Sequence, residues 1–322
     1  MNRRQLASYL RALALASAPA LLAACPAIFG CPDRQSTIEV TPDGGYTGPV
    51  LDGGVLPKDA CEAVCTESYT GFKPGTMSCA IGRELDGGLG RSVDCTGVVY
   101  CIGGRRTAGL AEAAAQGATA VGRHFARMAH LEAASVPAFA RLVDELRTHG
   151  APARLVAGAR AAIADERRHA RVIGALARRY GGEPPAVELE ALAPRALVEV
   201  ARENAVEGCV GETWGAVVAY HQAAHAADAR VRAALARVAD DEARHAELAW
   251  AIAAWAEPLL SSRERAAIAA ARREAALRII DGYDRAPDHP TDDDAALVDE
   301  AGLPSRERAL ALLVALRSSM WA

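Results

Sequence analysis

The chain has 322 residues, a formal net charge of −4, 51% hydrophobic residues and only 5% aromatics. That length and apolar content allow a sizeable core in one large or two modest domains, and a charge so near neutrality argues against a nucleic-acid partner. Alanine dominates the apolar set, which favours close-packed helices over a sheet, and Lys58 and Lys73 are the only lysines.

Residues 1–24 read as an export leader. Arg3, Arg4 and Arg11 give a positive start, and Ala12 to Ala24 is an apolar run too short to span a bilayer as a permanent helix. The run ends Leu22-Ala23-Ala24-Cys25, which resembles a bacterial lipobox. That resemblance implies a lipid on Cys25, a membrane as partner through that lipid, and residence in the cell envelope, at the outer membrane facing the periplasm. Arg3-Arg4 is compatible with twin-arginine export as well as the general route.

Residues 25–60 are rich in Pro, Gly and Asp and read as a low-complexity tether. Asp-Gly-Gly recurs at Asp43, Asp52 and Asp86 without the evenly spaced oxygen ligands of a calcium loop, so these are turns. Residues 61–108 form a Cys-rich module, with Gly97 to Tyr100 its best strand. Cys31, Cys61, Cys65, Cys79, Cys95 and Cys101 are disulfide candidates in an exported, loop-rich stretch; six cysteines allow 15 pairings. A metal knuckle at Cys61 and Cys65 is the weaker reading, because no His lies between Cys31 and Cys101. The module is expected to form a small cap against the helical part.

From residue 109 the period becomes helical. One helix is expected over 118–148, broken by His149-Gly150-Ala151-Pro152, and a second over 152–180, ending at Gly181-Gly182. A third spans 194–226, and a fourth starts at the Asp228 cap and reaches 257. Short loops within each pair and a longer link between pairs suit a four-helix bundle with one crossover, over 109–258. An extension, 259–322, adds a helix to about 280, an acidic loop over 281–304, and a last helix over 305–320. The apolar run Ala309 to Leu316 is too short to span a bilayer. It is expected to pack on the bundle or to make a homodimer contact.

The chemistry concentrates in two strings. Asp165-Glu166-Arg167-Arg168-His169-Ala170 and Asp241-Glu242-Ala243-Arg244-His245-Ala246 lie 76 residues apart, and each holds Glu-x-x-His. On a helix, residues three apart share a face, so each string offers a carboxylate beside an imidazole. Bundle-type dinuclear sites take such a pair from two helices and a single Glu from each of the other two. Glu132 lies 34 residues before Glu166, among large apolar residues where a lone carboxylate is costly. Glu207 lies 35 before Glu242 and is the expected partner on the third helix. Glu212 is the alternate, about 140° from Glu207 on a regular helix, and Glu203, one turn before Glu207, is a further candidate. Asp165 and Asp241 stand four residues before the histidines and are expected to hold them, each reaching the His of the facing helix. Carboxylates can bridge two ions, and imidazole suits iron. Taken singly, such charged strings are usually solvated faces; two copies at equal spacing, each with a matched upstream Glu, point to a metal site. His124, His130, His221 and His225 read as core or surface histidines, and Cys209 as a small buried hydrophobe.

On these residues the chain resembles the ferritin-like superfamily. The resemblance is carried by Leu131 to Phe139, Asp165 to Ala170, Glu203 to Thr213 and Asp240 to Ala246, and covers roughly 118–256. More narrowly, and with Cys95 to Leu110 included, the chain is similar to the ferritin-like lipoproteins of myxobacteria. The superfamily implies two iron ions, with manganese as the alternative, at Glu132, Glu166, His169, Glu207, Glu242 and His245. It implies oxidoreductase chemistry with oxygen or peroxide on ferrous iron, peroxide or a small organic molecule; a non-catalytic envelope-structural or metal-binding role is the alternative. Two departures matter. Extra segments at both ends of the bundle argue against a storage shell, and the absence of a Cys-x-x-Cys iron site means that any electron donor is external.

Overall fold

A computed structural model describes residues 3–16, 34–40, 78–84, 91–97, 110, 115–189, 195–284 and 292–321. Among them the chain is mainly helical. Cys25, Cys31, Cys61, Cys65 and Cys101 lie outside the described residues. Three strands pair antiparallel: β1 (Arg34–Val40) with β3 (Arg91–Gly97), and β3 with β2 (Ser78–Glu84). In this ladder Cys79 and Cys95 are Cα partners. Strand β1 falls in the stretch read as a tether, and β3 ends where the expected strand at Gly97 begins.

The site rests on two helical hairpins. Helix α2 (Ala120–Thr148) starts at Thr119, whose hydroxyl accepts a hydrogen bond from the Gly122 amide and satisfies one of the orphan donors of the first turn. It ends at Gly150, whose φ of 71° turns the chain into α3 (Ala153–Arg179). At the other end of this hairpin, β4 (Gln116–Gly117) pairs with β5 (Gly182–Glu183). There Gly122 lies so close to the end of α3 that a Cβ would stand 2.3 Å from the Tyr180 carbonyl.

The second hairpin begins as one continuous rod made of three parts. Helix α4 (Leu197–Glu203) runs into a π-helical segment (Asn204–Glu212), which continues as α5 (Thr213–His225). Helix α6 (Ala229–Ala256) returns antiparallel, capped by Asp228, whose carboxylate accepts from the Arg230 amide. A 3-10 turn (Glu257–Leu259) leads to α7 (Ser262–Asp284). The acidic stretch expected as a loop over 281–304 instead contains α8 (Asp292–Asp299). Aspartates at its start suit a helix N-terminus, and its end is held by long-range bonds such as that from the Ala227 amide to the Asp299 carbonyl. Helix α9 (Arg306–Ser319) buries Ala309, Leu312, Leu313 and Leu316 within the chain.

Among the described residues, three large apolar clusters frame the site, and a fourth, smaller one holds Ala201, Ala256 and Leu260. One, around Phe125, Ile173 and Leu235, packs one end of the two hairpins, and another, around Phe139, Leu155 and Ile252, packs the other end. Between these two layers along the helices lie the buried acids and histidines. The third cluster joins the second hairpin to α9 and to α1 (Arg3–Leu15) through Leu10, Trp214, Val217, Leu312 and Trp321. Each such side chain contributes about 1.5–3 kcal/mol when fully buried. Arg308 finishes α1 by donating to the carbonyls of Leu13 and Ala14. No helix among the described residues is long and apolar enough to cross a membrane.

Candidate metal centre

Glu132 on α2, Glu166 and His169 on α3, and Glu242 and His245 on α6 all point into the space between the hairpins and are buried. Two donor groups form there. One is Glu132, Glu166, His169 and Glu242; the other is Glu166, Glu212, Glu242 and His245. Within each group the donor atoms lie within 4.8 Å of one another. Two donors on opposite sides of one first-row ion can stand roughly 4.4 Å apart, so each group matches the reach of one ion. Glu166 and Glu242 belong to both groups.

The two imidazoles are used alike. His169 turns Nδ1 inward, 3.2 Å from Glu242 Oε1, 3.3 Å from Glu132 Oε2 and 3.7 Å from Glu166 Oε2. His245 turns Nδ1 inward, 3.1 Å from Glu166 Oε1 and 3.7 Å from Glu242 Oε1. Outward, His169 Nε2 meets Asp241 Oδ2 at 3.0 Å, and His245 Nε2 stands 3.5 Å from Asp165 Oδ2. Each histidine therefore faces the aspartate of the other helix, the crossed arrangement expected from the spacing. An Asp that accepts from Nε2–H leaves Nδ1 as the nitrogen free to ligate. The aspartates are themselves tied down. Arg168 bridges Asp165, at 2.7 Å, and Asp241, while Arg244 bridges Asp241 and Asp165, the latter at 3.2 Å. Phe139 closes one side, its ring centroid 5.2 Å from that of His245.

The electrostatics fit a charged core held by protons. Burial, and then the neighbouring charge of Glu166, push the Glu132 carboxyl up to about 8. Burial also opposes ionisation of Glu166, but hydrogen bonds from His169 and His245 outweigh it and hold that carboxyl well below the usual range. Burial disfavours the cationic form of both histidines; the surrounding carboxylates, led by Asp241 for His169 and by Asp165 for His245, reverse this and raise both. Asp165 and Asp241 are lowered despite partial burial, chiefly by their facing histidine and by Arg168.

The third helix differs from expectation. Glu207 is half-buried and belongs to neither donor group, whereas Glu212 is buried and belongs to one. The reason is the π-helical segment that contains both. Its turns close i→i+5 rather than i→i+4, so the facing assigned at 100° per residue fails across it. Gly208 and Gly211 were the local sign that this stretch tolerates irregular helix. Glu203 is taken by a different network. It meets Arg195 Nη1 at 2.7 Å and Arg141 Nη2 at 3.2 Å, and Arg195 also binds Glu145 at 2.7 Å.

No family model, no curated protein and no solved structure matches this chain.

His124, His130, His221 and His225 stay apart from the two groups. His130 Nδ1 lies 3.2 Å from the Pro185 carbonyl. His124 is buried edge-on to Phe125, and His221 Nδ1 lies 3.0 Å from the Gly302 carbonyl, stacked on His225 at 4.0 Å. Cys209 is fully buried and not in a disulfide. Buried Glu and His side chains here can hold metal ions, and their donor set is that of hard to borderline divalent ions.

Proposed function

We propose that this chain is an exported, lipid-anchored member of the ferritin-like superfamily, an oxidoreductase built on a four-helix bundle that holds two iron ions. The observation that carries the reading is the pair of donor groups sharing Glu166 and Glu242. A single structural ion needs no shared carboxylates; two adjacent ions do. In this reading Glu132 and His169 complete one site, and Glu212 and His245 complete the other. Bound there, two iron ions supply redox chemistry toward oxygen or peroxide, with ferrous iron, peroxide or a small organic molecule as the substrate class.

The chain's own residues prepare the site. Asp241 accepts from His169 Nε2 and Asp165 faces His245 Nε2 at 3.5 Å, and Nδ1 of each ring is turned inward. Arg168 and Arg244 keep both aspartates in place. Phe139 helps keep water from the His245 side. Before metal arrives, protons on the two imidazoles and on Glu132 offset the buried negative charge, and those protons leave when ions enter. Lipidation at Cys25 tethers the domain to a membrane, and electrons come from an external donor.

The test is anaerobic titration of the purified chain with ferrous iron, followed by admission of oxygen. The reading expects two ions per chain, release of protons on binding, and oxidation of the bound iron. Binding of much less than two ions per chain would overturn it. Competition with manganese separates the iron assignment from the site itself.

A further inference from the structure

The geometry points to Trp321, near the C-terminus of the chain, as a positioning residue for the metal centre: its indole N–H holds the π-helical segment in the register that turns Glu212 inward. This rests on the two-ion reading of the site. The segment is the one departure from α-helical geometry in the rod that carries Glu212, and such departures persist only where neighbours support them. Among the described residues, three long-range side-chain hydrogen bonds do so. At its start, Asn204 Nδ2 donates to the Ala249 carbonyl at 2.9 Å. Just past its end, Trp250 Nε1 donates to Thr213 Oγ1 at 3.3 Å. Both of these come from contact with α6, which carries Glu242 and His245, so they fix the ends of the segment to the helix that supplies the opposing ligands.

The third bond is of another kind. Trp321 Nε1 donates to the Cys209 carbonyl at 3.0 Å, in the middle of the segment and three residues before Glu212. The donor comes from 112 residues further along the chain. Trp321 is 1% exposed and is set by Leu312, Leu313 and Leu316 in the same apolar cluster. A return to i→i+4 bonding would turn the Cys209 carbonyl away from this fixed donor and would rotate Glu212 with it. The indole thus favours the register in which Glu212, and not Glu207, completes the second donor group. The N–H of a buried indole usually finds a partner, and for Trp321 the Cys209 carbonyl supplies it.

The test compares the full-length wild type with Trp321→Phe, which keeps a buried ring and removes the N–H. Ions are counted by anaerobic titration with ferrous iron and, separately, with cobalt(II), whose visible spectrum reports ligand geometry. A second readout is amide hydrogen exchange across 204–213 in metal-free protein. Expected for Trp321→Phe is an unchanged first ion and a second ion weakened about ten- to a hundredfold, the usual effect of losing a residue behind a ligand. Faster exchange across 204–213 and an altered cobalt spectrum should accompany it. Leu155→Val, a packing change in the apolar cluster that does not hold Trp321, should lower the melting temperature and leave the second ion as in wild type. The proposal is overturned if Trp321→Phe binds both ions like wild type with unchanged exchange. It is equally overturned if that variant loses both ions or the fold together, which would make Trp321 a general packing residue. A wild type that fails to bind two ions would instead defeat the two-ion reading.

Discussion

Replacing Glu212 by Gln, beside the same change at Glu207, is the sharpest check on the ligand set. Glu212 is one of four donors in its group, and its side chain is buried; Glu207 is half-buried and outside both groups. Losing a residue that only supports a ligand typically costs about ten- to a hundredfold in metal affinity. A direct anionic donor should reach at least the upper end, about 100-fold, or about 2.7 kcal/mol. The other group, Glu132, Glu166, His169 and Glu242, keeps all of its donors. Glu212→Gln should therefore retain one ion near wild-type affinity and lose the second at micromolar metal. Glu207→Gln should bind both ions, since Glu207 lies outside both donor groups. Glu166→Gln, which removes a shared carboxylate, should weaken both ions. The assay is anaerobic ferrous titration against a competing chelator, with ions counted per chain. If Glu207→Gln loses an ion while Glu212→Gln keeps both, the π-helical register is not the one that operates in the loaded protein.

Two other predictions concern the groups around and away from the site. Asp241→Asn should lower metal affinity about ten- to a hundredfold, because the Nε2 side of His169 loses its anionic acceptor; chelator competition measures this, and an unchanged affinity would remove Asp241 from the mechanism. Burial holds His124 and His221 down at about 4. In the unfolded chain they titrate near about 6.5, so between pH 6.5 and 4 the unfolded state binds more protons and stability falls as pH falls. At pH 4.5 each should cost about 2 kcal/mol relative to pH 7, and His124→Gln should lessen the acid loss seen in urea titrations by about that amount. An acid loss in the variant equal to that of wild type would refute it.

The helices and the Glu-x-x-His pairs were legible because both are local signals. An apolar period fixes a helix, and a spacing of three fixes a shared face. Glu132 was legible because a carboxylate in an apolar stripe needs a partner, and Asp165 and Asp241 because a residue four before each His lies on nearly the same face. The inward turn of Glu212 was not legible. It depends on a π-helical segment supported by Ala249, Trp250 and Trp321, all distant in sequence. Helix α8 escaped for a similar reason. Its residues read as a charged loop, and what holds them is a set of contacts with the end of α5, among them Gln222 Nε2 donating to the Ala301 carbonyl. Glu203 was misplaced because its two arginine partners, Arg141 and Arg195, come from segments whose approach no local pattern announces.

Helix α1 sets the proposed leader against the packing of the fold. In the proposed reading residues 1–24 are removed on export, yet Leu6, Leu10, Leu13 and Ala14 of α1 are buried in the cluster that also holds Trp214 and Trp321. Three buried leucines contribute roughly 5–9 kcal/mol as an upper bound, a large part of the 5–15 kcal/mol by which a domain is typically stable. Tyr9 further bonds Ser319 at 2.8 Å, and Arg308 caps α1. Lipidation at Cys25 with loss of 1–24 would therefore strip a helix from the wall formed by α5, α6 and α9. That wall includes Trp321 and, through it, the segment bearing Glu212. A chain of residues 25–322 should melt below the full chain, bind an apolar dye more strongly, and hold its second ion more weakly. Equal melting temperatures and equal dye binding would show that α1 contributes no stability to the rest of the chain.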